Sequence, residues 1–97
     1  MENYYGNVRI TVNNVDDSAT VHFNGNEIMH VDFMQNGARN INANEGDIIR
    51  MSIQNVTGGA WHARFTILVD GRVRYDNSPQ GWSWPGQTQA WSDEIII

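Results

Sequence analysis

From Trp61 to Val69 an apolar side chain falls at every second position: Trp61, Ala63, Phe65, Ile67 and Val69, with His62, Arg64, Thr66 and Leu68 between them. Strict period two means a strand with one face on a core and one face outward. Asp70-Gly71 follows, then Val73 and Tyr75. An Asp-Gly pair tolerates the positive φ angles that a two-residue hairpin turn demands. The run therefore predicts two antiparallel strands joined by a tight turn. The same grammar appears earlier. Ala19, Val21 and Phe23 precede Asn24-Gly25, and Met29, Val31 and Phe33 follow it, with Thr20, His22, His30 and Asp32 on the opposite face.

Further strands are expected at Val8-Ile10-Val12, around Ile49-Met51-Ile53, and from about Gln89 to Ile97. Asn36-Gly37 is a third turn-type pair, Glu45-Gly46-Asp47 reads as a turn, and Val56-Thr57-Gly58-Gly59 as a loop. No stretch keeps a helical period with caps. Seven to eight short strands predict an all-β chain folded as one antiparallel β-sandwich of the jelly-roll kind. Its expected core is Val8, Ile10, Val12, Val21, Phe23, Ile49, Met51, Ile53, Phe65, Ile67 and Val69. The closing Ile95-Ile96-Ile97 does not alternate, which suits a strand inside the sandwich or one covered by another subunit.

Ninety-seven residues with 40% hydrophobic side chains make one domain with a modest core. No apolar run approaches the roughly 20 residues of a membrane-spanning helix, and the N-terminal residues lack the basic and apolar regions of a signal peptide. The net charge of −5 opposes binding to nucleic acid or an anionic membrane. There is no cysteine, which excludes disulfides, thiolate metal sites and cysteine nucleophiles and leaves the compartment open. All six cations are arginine; the absence of lysine, the usual blunting residue of exposed sheet edges, is compatible with an interface-rich surface.

The order of the turn and strand signatures resembles that of galactose-binding-domain-like β-sandwich modules. Asp16-Asp17-Ser18-Ala19-Thr20-Val21-His22-Phe23-Asn24-Gly25 is similar to a hairpin of that family, and Asn44-Glu45-Gly46-Asp47-Ile48-Ile49-Arg50 to its turn-plus-strand. Asn55, Gly58-Gly59, the strand from Trp61 and Asp70-Gly71 follow in a similar order, so the resemblance spans roughly residues 8–84. It implies a jelly-roll sandwich. Many such modules bind carbohydrate, and others are structural parts of assemblies. This chain is shorter than most of them, and no sugar-contact motif matches residue by residue.

Three of the four tryptophans, Trp82, Trp84 and Trp91, lie within ten residues. The segment Asp76–Trp91 carries two prolines and two glycines and reads as a long loop. Indoles on a loop are either tucked under it or offered to a partner. As a sugar platform, Trp82 and Trp84 would stack on the apolar face of a pyranose while Asp76, Asn77, Gln80 and Gln87 hold its hydroxyls. As a satellite core, the same rings would fold back. Trp91 is expected to be the inward residue of the last strand.

The other constellations carry less. Asp16-Asp17, Glu45 and Asp47 offer oxygen ligands for calcium but lack EF-hand spacing, and turn chemistry accounts for them. His22 and His30 flank one hairpin with Asp32 nearby, a loose transition-metal pattern. No nucleophile elbow, phosphate-cradling glycine loop or zinc-protease helix is present, so no enzyme, cofactor or metal is expected. Asn55-Val56-Thr57 fits a glycosylation acceptor. The expected function is a non-catalytic, lectin-like carbohydrate-binding module acting as a homo-oligomer. The alternative is a structural self-assembly subunit of a capsid, tail or filament, with the Trp-rich loop and the isoleucine strand as contacts.

Overall fold

The computed structural model describes residues 5–55 and 57–97; side chains at positions 5, 87 and 88 lie outside the description. The described residues form nine strands and no helix. These are β1 (Tyr5–Asp16), β2 (Ser18–Phe23), β3 (Asn26–Asp32), β4 (Gly37–Asn44), β5 (Ile48–Asn55), β6 (Gly59–Val69), β7 (Arg72–Asn77), β8 (Gln80–Ser83) and β9 (Gln87–Ile96). They build two antiparallel sheets packed face to face. The first runs β4-β1-β6-β7, with β8 continuing the β7 edge along β6; the second runs β3-β2-β5-β9.

Both expected hairpins are present. Asn24 and Gly25 have φ of 49° and 85°, and Asp70 and Gly71 have 50° and 80°. Positive φ at both central residues is the geometry whose twist matches paired strands. The core is made of the alternating residues of both sheets, and Val8, Ile10, Val12, Val21, Ile49, Met51, Ile53, Phe65 and Ile67 are fully buried. Phe23 and Val69, expected in the core, are partly buried against it.

Three expectations need correction. Residues 76–91 are not one long loop: β7, β8 and β9 occupy most of them, broken at Ser78-Pro79 and Trp84–Gly86. Pro79 sits at the break, where its carbonyl still accepts a bond from the Ala63 amide (3.2 Å). Strand β4 was not expected, because only Ile41 and Ala43 mark its inward face. Gly37, at its start, serves close packing rather than a turn: a Cβ there would lie 2.7 Å from Val31 Cγ2. Finally, of the two placements expected for the last strand, inside the sandwich or covered by another subunit, the first does not hold: β9 is the edge of its sheet. Ile95 packs on the core, whereas Ile96 points outward and is 58% exposed.

The open sides of the sandwich are bridged by polar groups. Arg39 of β4 donates to the Ile28 carbonyl of β3 (2.6 Å), and Arg74 of β7 donates to the Ile96 carbonyl of β9 (2.7 Å). Beside Arg74, the Tyr75 hydroxyl donates to Asp93 (2.9 Å) and accepts from the Asn77 amide (3.1 Å).

Candidate functional site

Strand β8 is short, but its alternation is strict. Gln80 and Trp82 point outward, Gly81 and Ser83 point inward, and Trp84, just past the strand's end, is exposed like Trp82. The inward pair fixes the outward one. Gly81 lies on the ring of buried Trp61, so closely that a Cβ would run into the indole. Ser83 accepts a hydrogen bond from Asn55 Nδ2 (2.8 Å), which also donates to the Gly59 carbonyl (3.0 Å). Asn55 is fully buried at the end of β5, in the opposite sheet. Its amide therefore ties β8 to the second sheet, and in the folded state it is closed to glycan attachment.

The result is an aromatic platform on the outer face of the first sheet. Trp82 and Trp84 are 60% and 75% exposed, with ring centroids 4.9 Å apart and planes at 80°. Edge-to-face packing holds each indole by the other while leaving ring surface open to solvent. Register places Trp82 opposite Ala60, a small neighbour, and Gln80 opposite His62. Further along the same face, Arg64 grips Asp76 with two bonds (3.1 and 2.9 Å). Hydrogen bonding and charge from Arg64 hold the Asp76 carboxyl below its ordinary pKa, and Asp76 in turn raises that of Arg64.

Of the residues expected at the site, the fold thus brings Trp82, Trp84 and Gln80 together, with Asp76 further along the face. Asn77 pairs in register with Phe65 and turns its amide to Tyr75. The Gln87 side chain lies outside the described residues. Trp91 stacks on Phe65 at 5.4 Å and 21°, inward as expected. Asn55, Gly81 and Ser83, which orient the platform, were missed. The signal for Gly81 and Ser83 is the small-large alternation Gln80-Gly81-Trp82-Ser83-Trp84, a strand pattern masked by the flanking Pro79 and Pro85; nothing in the sequence ties Asn55 to it.

Concavities also mark the surface around the platform and on the other sheet. One, of about 640 Å³, is bordered by the end of β1, the 33–36 loop and His62. The other, of about 430 Å³, lies on the outer face of the second sheet around His22, Arg50 and Glu94. Among the described residues no three His, Asp or Glu side chains converge as metal ligands. Asp47 accepts bonds from the Asn44 amide (2.7 Å) and the Asn24 side chain (3.1 Å), and Asp17 accepts from Thr57, so these acidic residues close turns and loops.

Comparison of the chain with protein-family models, with curated proteins and with solved structures finds no match.

Proposed function

We propose that this protein is a non-catalytic carbohydrate-binding module whose ligand sits on the Trp82–Trp84 platform. The carrying observation is the pair of solvent-exposed indoles, Trp82 held outward on a strand whose inward residues are locked by Trp61 and Asn55 and Trp84 packed edge-to-face on it just past the strand's end. Rigid aromatic surface beside neutral hydrogen-bonding groups suits a sugar ring, which has an apolar face and a rim of hydroxyls. Gln80, on the same face as Trp82, is placed to hydrogen-bond those hydroxyls. The resemblance to galactose-binding-domain-like modules points the same way.

The rival reading, self-assembly, is favoured by a separate feature, the exposed Ile48 and Ile96 on the other sheet.

The test is titration of a panel of neutral mono- and oligosaccharides against the indole fluorescence of the intact chain. A sugar that binds should shift or quench the emission. Trp82→Ala should weaken binding roughly tenfold or more, about 1.4 kcal/mol, with the circular dichroism spectrum unchanged. Unchanged affinity in that variant would remove the platform as the site.

A further inference from the structure

Four described non-glycine residues have left-handed backbone: Asn14 (φ 57°), Asn24 (49°), Met34 (62°) and Asp70 (50°). Asn24 and Asp70 are accounted for, because each is the first central residue of a hairpin turn and is followed by a glycine. Asn14 and Met34 are in no such turn. Asn14 lies in a bulge of β1, where the register against β6 shifts between Asn13 and Asp16. Met34 lies in the loop joining the two sheets, anchored by its amide on the Val15 carbonyl (3.2 Å) and followed by a Gln35 amide bonded to Asp32 (3.0 Å). A methionine in this conformation is uncommon, and such strain concentrates where a fold holds a surface in a required shape.

Both residues line the same depression of about 640 Å³, together with Asn13, Phe33, Gln35 and His62. Phe33 and Met34 are 55% and 80% exposed there. Exposed apolar side chains interleaved with neutral amides repeat the chemistry of the indole platform at the β1 bulge and the 33–36 loop.

His62 joins the two. Its Nδ1 donates to the Asn14 carbonyl, and its Nε2 lies 3.9 Å from Asp16. In register it faces Asp16 of β1 on one side and Gln80 of β8 on the other. The depression, His62, Gln80 and Trp82 therefore follow one another obliquely across β1, β6 and β8: two strand spacings, about 10 Å, across the strands, and about 13 Å along them between the level of Asn13, opposite Arg64, and that of Trp82, opposite Ala60.

We infer that the indole platform and the depression beside Asn13 and Phe33 are the two ends of a single extended site, which takes a neutral oligosaccharide chain rather than one sugar residue. The inference rests on the carbohydrate reading above. Neutrality follows from charge: the chain carries a net −5, Asp16 borders the path, and Arg64 is already neutralised by Asp76. A polyanionic glycan would find no arginine along the row Trp82, Gln80, His62 and Asn13 other than Arg64, which is already paired.

The test uses neutral β-1,4-linked glucose and N-acetylglucosamine series, from monosaccharide to hexasaccharide, measured by calorimetry on the intact chain. Affinity for the bound series should rise about tenfold or more with length. Phe33→Ala and Asn13→Ala, both at exposed positions, should abolish that rise and leave the short-ligand affinity unchanged. In wild-type protein, amide resonances of Asn13, Phe33 and Gln35 should move with the hexasaccharide and stay still with the shortest ligand that binds. Affinity independent of length, or a length gain that survives both substitutions without those shifts, overturns the extended site while leaving the platform intact. Loss of the platform itself reads differently: no series member binds, or Trp82→Ala has no effect.

Discussion

Where β7 faces β9, the hydroxyl of Tyr75 holds a proton between Asp93 and Asn77. Burial raises its pKa above the ordinary value of about 10, donation from Asn77 offsets part of that, and Asp93 raises it further. The folded state thus keeps a proton that the unfolded state gives up first. The associated stability is intact below about pH 10 and is lost as pH rises through the folded pKa, because the folded chain binds more protons there. Urea midpoints should therefore fall as the pH rises above about 10, and those of Tyr75→Phe should fall less. Equal alkaline losses in both proteins would show that the bridge is not responsible. This bridge was invisible in the sequence: Tyr75 reads only as an inward-phase residue, and its partner lies in a strand eighteen positions away. The tryptophans were more legible. Period two sent Trp61 and Trp91 inward, and both are packed on core or glycine. For Trp82 and Trp84 alternation would have sufficed had the flanking prolines not been read as a loop.

Strands declared themselves in proportion to how much apolar surface they bury. β1, β2, β5 and β6 supply most of the core and stand out as alternating Val, Ile and Phe. β4 and β8 lie at sheet edges, where one inward residue in two can be Arg39 or Gly81, and their pattern fades accordingly. The same edges explain the arginines. Arg39 and Arg74 reach across to carbonyls of the opposite sheet, using edge positions to close the sandwich. Asn55 does the equivalent task for β8 from within. Asn55→Ala would leave the Gly59 carbonyl and Ser83 hydroxyl without that donor, at a cost of about 1–3 kcal/mol. Because the lost bonds tie β8 and not the hairpins, amide exchange should accelerate in residues 80–83 well before it does in β2 and β3. Uniform acceleration across both sheets would mean that Asn55 supports the core as a whole and has no special hold on the platform.

The molecule is an elongated sandwich, 49 × 21 × 17 Å, with an exposed indole pair and an exposed isoleucine pair on opposite faces. The indoles stand on the first sheet. On the second, Ile48 and Ile96 pair in register with 38% and 58% of their surface exposed. A domain of this size buries a limited core, and self-association is a common way to cover the remainder. The free side of β9 is a poor seam for edge-to-edge pairing, because Arg74 already occupies the Ile96 carbonyl and Asp93 and Glu94 would bring like charges together. Contact through the outer face of Ile48 and Ile96 carries neither penalty. Light scattering of the purified chain should therefore give a mass above the monomer, and Ile96→Asp should return it to the monomer by placing a charge in the contact. Sugar titration of that variant should be unchanged, since the platform lies on the other sheet, and Trp84→Ala should leave the mass as it is. If Trp84→Ala releases monomers instead, the indoles are the subunit contact and the carbohydrate reading gives way to assembly. A monomeric wild type would remove the isoleucine pair as a contact without touching the platform.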